Sequence, residues 1–127
     1  MKFTDFKPEE LIGKTVLFTF GHSYSGKTRQ ISKITKVTKT GFKIDVTGFE
    51  DRLFSLNNGH QKGLNGRMNM SIVSYCDLIT EEETQKYREE FTKNREIKQI
   101  KSLIKDKIDN LTYEQLIAIK DIILLNA

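Results

Sequence analysis

The chain has 127 residues, of which 37% are apolar and 30% charged, with a formal net charge of +4; that is enough for one domain of ordinary size, or a small domain with a helical extension. A mean hydropathy of -0.48 argues against a membrane protein. No apolar run approaches about eighteen residues, and the opening MKFTDFKPEE lacks the apolar stretch of a signal peptide, so a cytoplasmic location is expected.

In chain order, Lys7-Pro8-Glu9-Glu10-Leu11-Ile12-Gly13 reads as a single helical turn, with Pro at the first helical position, acids near the N-terminal dipole and Gly to end it. Thr15 to Phe20 is β-branched and aromatic and predicts a strand with Val16, Phe18 and Phe20 on one face and Leu17 on the other. Gly21 to Lys27 is a loop. The segment 29–40, RQISKITKVTKT, is half β-branched; such side chains lose rotamer freedom in a helix and pack well in a pleat. It predicts a strand, bulged near Lys33, where strict alternation fails.

Gly41 breaks that run, and Phe42-Lys43-Ile44-Asp45-Val46-Thr47 alternates cleanly, with Phe42, Ile44 and Val46 facing the core. Arg52 to Leu56 can form a further short strand, Asn57-Asn58-Gly59 is a turn signal, Gly59 to Asn69 is loop-like, and Ser71 to Ile79 returns to strand character. The single cysteine, Cys76, lies in that last strand among apolar residues and reads as a small buried hydrophobe. Short strands with a turn every eight to twelve residues and no crossover helix between them predict an antiparallel sheet.

After Asp77 the composition changes. Thr80-Glu81-Glu82-Glu83 is a capping box that starts a helix with an apolar stripe at Tyr87, Phe91, Ile97, Ile100, Ile104 and Ile108. Thr112-Tyr113-Glu114-Gln115 is a second box, opening Leu116 to Leu125, which is apolar nearly all round. Two helices joined by a short loop form a hairpin. The last helix is then buried between the hairpin and the sheet, or against a second copy; Ile119, Ile122 and Ile123 are the candidate partner or dimer surface.

Candidate chemistry begins at Gly21-His22-Ser23-Tyr24-Ser25-Gly26-Lys27-Thr28, which satisfies the G-x-x-x-x-G-K-[ST] pattern of a phosphate-cradling loop. In a nucleotide-binding enzyme, Gly21 and Gly26 would shape the cradle and Lys27 would pair with the terminal phosphate. The Thr28 hydroxyl would ligate magnesium, and Asp77 would supply the partner carboxylate. Such a loop must open into a helix, and the strand-like residues after Thr28 count against it. A second candidate is the charge distribution. Residues 1–79 carry twelve Lys and Arg against seven Asp and Glu, and no acid falls between Leu11 and Ile44. Lys27, Arg29, Lys33, Lys36, Lys39 and Lys43 could line one rim, joined by Lys62 and Arg67; such a surface engages phosphate backbones or an acidic protein face. Tyr24, His22 and His60 are candidates for stacking on bases. Two histidines and one cysteine are too few and too scattered for a zinc site, and no cofactor is expected.

The run Ile34 to Ile44, ITKVTKTGFKI, followed by Arg52-Leu53-Phe54, Asn58-Gly59 and the Thr-Glu-Glu helix start, resembles a pattern of small phage and mobile-element proteins with a KVTKTxF β unit. The resemblance covers about residues 31–83. It implies a barrel-like β unit and an accessory or anti-defence role, for example an inhibitor of a host nucleic-acid-processing complex such as a CRISPR effector, and it carries over no catalytic residue.

The reading is an α+β protein. Residues 1–79 would form a small antiparallel SH3-like β-barrel or curved sheet with a short N-terminal helical turn, and residues 80–127 an amphipathic helical hairpin. The expected role is a non-enzymatic basic module that binds nucleic acid, or a nucleic-acid-processing complex, with a homodimer possible through the helices. The alternatives are the phosphate-loop enzyme and a pure protein–protein interaction module.

Overall fold

The computed structural model describes residues 1–63 and 71–125. The fold is α+β, with five antiparallel strands in a nearly closed barrel-like sheet followed by a long helix and a C-terminal helix. The strands are β1 (Thr15–His22), β2 (Gly26–Val37), β3 (Gly41–Ile44), β4 (Phe54–Ser55) and β5 (Ile72–Leu78), in the spatial order β4-β3-β2-β1-β5. The chain divides into two compact units, Met1–Arg88 and Glu89–Ala127.

The first unit opens with a 3-10 turn, Phe3–Asp5, in which the Lys2 amide donates to the Asp5 carboxylate at 2.9 Å. The expected helical turn follows as α1, Pro8–Leu11, capped by a 3.1 Å bond from the Lys7 amide to Glu10. These short elements hold two core side chains, Phe3 and Leu11, in place.

β1 alternates as its sequence predicts: Val16 and Phe18 are fully buried in the barrel interior. Leu17 and Thr19, on the opposite face, are buried as well. On that outer face Arg29 of β2 lies over the ring of Tyr87, from the first turns of α2 (Glu81–Lys107), at 5.5 Å from the ring centroid. The β2 bulge falls between Ile34 and Lys36, one or two residues later than the lost alternation indicates. It lets Ile34 and Val37 both pack on the core while Lys33 and Lys36 stay exposed.

β3 is shorter than its alternation suggests, because a turn begins at Val46, where the Phe49 amide donates to the Val46 carbonyl at 2.9 Å. Val46 remains buried, and Phe49 turns its ring edge-on to Phe18 at 4.9 Å. The barrel interior is an aromatic cluster: Phe18, Phe42 and Phe54 are fully buried, Phe54 packs against both Phe18 and Phe42 with centroids 5.5 and 5.6 Å away, and Phe3 stacks on Phe42 at 4.7 Å. Full burial of each such side chain contributes about 1.5–3 kcal/mol.

The segment after Asn58, loop-like by sequence, is what closes the barrel. His60 and Gln61 bridge the two edge strands at once, Gln61 opposite Phe54 and His60 opposite Tyr75. The Ser55 amide donates to the His60 carbonyl and the Lys62 amide to Leu53, both at 2.8 Å, while the Gln61 amide reaches Ser74 at 2.9 Å and the Cys76 amide reaches Gly59 at 2.8 Å. Gly59 sits at φ +76 with its α-carbon hard against β5, so that an added Cβ would collide with the Cys76 carbonyl oxygen and press on the Phe3 ring. No L side chain fits there.

In the second unit, the long helix runs on to Lys107, a 3-10 turn spans Ile108–Asn110, and α3 covers Tyr113–Leu125. Both predicted capping boxes form. Thr80 and Glu83 exchange two 3.1 Å bonds, and Thr112 and Gln115 exchange bonds of 2.9 and 3.2 Å. The units divide inside α2 and not at the sheet-to-helix junction near residue 80, since the first turns of α2 carry buried Thr84 and half-buried Tyr87.

Gly59→Ala is expected to destabilise the first unit by at least about 3 kcal/mol, against about 1 kcal/mol for Gly48→Ala, whose added Cβ meets open space. Urea unfolding followed by circular dichroism measures both; equal losses would contradict the steric role of the closing segment.

Candidate nucleic-acid interface

The register of β1 and β2 settles the geometry of the Gly21–Thr28 run. Gly21 pairs with Lys27, His22 with Gly26 and Phe20 with Thr28, leaving Ser23, Tyr24 and Ser25 as the tip of a β-hairpin. Lys27 and Thr28 are strand residues, and the chain continues extended to Val37. No helix opens from this loop, so the chain after Lys27 does not supply the amides and dipole that a phosphate cradle needs. Asp77 pairs with Leu17, four residues along β1 from Gly21, which puts it about 13 Å from the level of Lys27. The candidate nucleotide-binding residues are therefore not gathered around one anion position.

The basic residues are better placed. Lys27, Arg29, Ile31 and Lys33 occupy alternate positions of β2 and share its outer face, and after the bulge Lys36 is exposed in turn. From Lys27 to Lys36 the row extends for about 30 Å. Lys36 stands directly opposite Lys43 on β3, and Lys39 lies in the turn that joins the two strands. Like charges placed directly across a ladder are unfavourable, by up to ~1 kcal/mol, and a bound phosphate between them would reverse the sign. Arg29 is engaged with the Tyr87 ring, and Asp45 follows β3 opposite Lys33, its amide donating to the Lys33 carbonyl at 3.1 Å.

Beside this row, the closing segment and β5 frame an open groove of about 600 Å³. Its floor holds Ile72, Val73 and Tyr75, and its rim Lys27, Asn58, His60 and Lys62. His60 stacks on Tyr75, with centroids 5.4 Å apart and planes 23° from parallel. The Lys62 ammonium donates to the Thr40 hydroxyl at 2.6 Å, which ties the groove rim to the turn carrying Lys39. Beneath the groove, Ser74 is buried and donates to Gln61 at 2.7 Å, fixing the strand under the stack.

Tyr24, at the hairpin tip, is 90% exposed and neighbours exposed His22. Arg67 lies outside the described residues. Tyr75 is the functional candidate that sequence reasoning passes over. Strand alternation carries the signal, since Ser74 and Cys76 point inward and the aromatic between them must point out. Cys76 is fully buried; burial, and secondarily the charge of Asp77, pushes its thiol well above the usual range, which leaves it inert as a nucleophile or ligand. Among the described residues no group of three or more His, Cys, Asp and Glu gathers at one point, and no helix is long and apolar enough to cross a membrane.

The chain matches no protein-family model, no curated protein and no solved structure, so the site stands on its geometry alone.

Titration with ATP and magnesium is expected to give no saturable signal. Saturable binding that disappears in Lys27→Ala would contradict the hairpin reading of residues 21–28.

Proposed function

We propose that the barrel is a non-enzymatic nucleic-acid-binding module with a preference for single strands. The observation that carries this reading is the combination of a stacked His60–Tyr75 pair in an open groove with lysines on its rim, one of which is bonded to the turn beside the opposed Lys36–Lys43 pair. Single-strand binders combine these two parts: a basic track for phosphates, and aromatic faces on which exposed bases stack. Along β2, the lysines take the backbone. In the groove, Tyr75 and His60 take a base, and Asn58 and Gln61 lie within the same walls for its polar edge.

Lysine dominates arginine in this chain, sixteen to five. Lysine contacts phosphate as a flexible point charge and offers no fixed fork for reading base edges, so binding is expected to be broad in sequence and steep in salt. A module of this kind would coat, present or occlude single-stranded nucleic acid. Inhibition of a nucleic-acid-processing complex is the biological setting this activity fits, by competition for the strand.

Fluorescence anisotropy with labelled single-stranded and duplex oligonucleotides tests the reading. Replacing Lys33, Lys36 and Lys39 together by Glu is expected to weaken binding at least about 100-fold and to flatten the dependence of log K on log salt by about 2. Tyr75→Ala is expected to cost roughly 5- to 100-fold for single strands, with much less effect on duplex. These side chains are exposed or half-buried, so the fold should persist. Affinity unchanged in both variants would overturn the assignment.

A further inference from the structure

We propose that the second unit is a self-association element, in which the apolar seams of α2 and α3 close against the same helices of a second copy of this chain. On α2, Ile97, Ile100 and Ile104 recur at spacings of three and four and are 40%, 55% and 46% exposed. On α3, Leu116, Ile119 and Ile123 repeat the same spacing, with Leu116 at 42% and Ile123 at 63% exposed. Threes and fours align side chains along one helix face, the seam that pairs helices side by side. Glu114 and Asp121, seven residues apart, mark the opposite, solvated side of α3.

The amount of surface argues for a full interface. Ten isoleucine and leucine side chains between Ile97 and Leu125 are each at least 40% exposed. Together they present on the order of 1,000 Å² of aliphatic surface, compared with about 800 Å² per partner in a standard interface and a few hundred in the patches of ordinary monomers. A helix that is apolar nearly all round needs more than one apolar neighbour, and a two-fold dimer supplies it by presenting the same seams twice.

Charge selects how the seams pair. Residues 93–107 hold six Lys and Arg against two acids, whereas residues 108–125 hold three acids against one lysine. Two copies of the α2 stretch repel each other, and α3 of one copy is attracted to α2 of the other. The self-complementary arrangement therefore sets α2 against the partner's α3, twice. None of the seam residues belongs to the basic row of β2 or lines the groove, so this association and nucleic-acid binding can fail independently.

Light scattering and sedimentation equilibrium on the full chain decide the matter. A mass of twice 14.7 kDa at about 50 µM, falling toward the monomer on dilution, is expected. Ile100→Glu and Ile123→Glu should each give a monomer, with the thermal transition of the barrel and the oligonucleotide affinity per site retained. A wild-type chain that stays monomeric up to about 200 µM, a dimer that survives both substitutions, or seams that become protected only when a different protein is added would each overturn the proposal.

Discussion

Everything in the first unit depends on how the edges of the sheet are joined. β4 is two residues long and β5 is the other edge; left open, both would expose unpaired backbone groups and an aromatic core. Four residues, Gly59 to Lys62, resolve this by bonding to both edges at once. The price is a single steric condition, a glycine at position 59, because the chain must approach the Cys76 carbonyl too closely for any side chain. Closure also seals Phe18, Phe42 and Phe54 from water, and those rings are the largest fully buried side chains of the core whose burial opposes chain entropy.

The same closure builds the groove. His60 is carried by the joining segment and Tyr75 by β5, and their bridge holds the two rings in stacking range. Lys62, two residues on, is tied to Thr40 across the strand order, which draws the groove and the Lys36–Lys43–Lys39 corner into one continuous surface. The β2 bulge makes the complementary adjustment from the other side: one extra residue keeps Ile34 and Val37 on the core without turning Lys36 inward. Fold and candidate site thus rest on the same two irregularities of an otherwise regular sheet.

Much of this was legible in the residues. The alternation of Val16, Leu17 and Phe18, the β-branched run through Ile31, Ile34 and Val37, and both capping boxes correspond directly to observed elements, because each is a local signal with a local cause. The decisive use of sequence was to read the residues after Thr28 as a strand, which separates a hairpin from a phosphate loop, although that strand ends at Val37 and not at Thr40. What escaped is non-local. Gly59 to Lys62 looks like a loop because its partners, Leu53, Ser55, Ser74 and Cys76, come from two strands distant in sequence. Phe3 reads as a terminal residue until Phe42 arrives beside it. Tyr75 is hidden in an apolar strand, and its place in the groove emerges only once His60 is set against it.

Amide hydrogen exchange resolved by residue tests the closure most directly. The Gln61, Lys62 and Cys76 amides, which donate to Ser74, Leu53 and Gly59, should exchange only through opening of the whole barrel, with protection matching that of the Phe18 amide in β1. Exchange of those three amides orders of magnitude faster than Phe18 would mean that the sheet is open and that the groove is not a built feature of this protein.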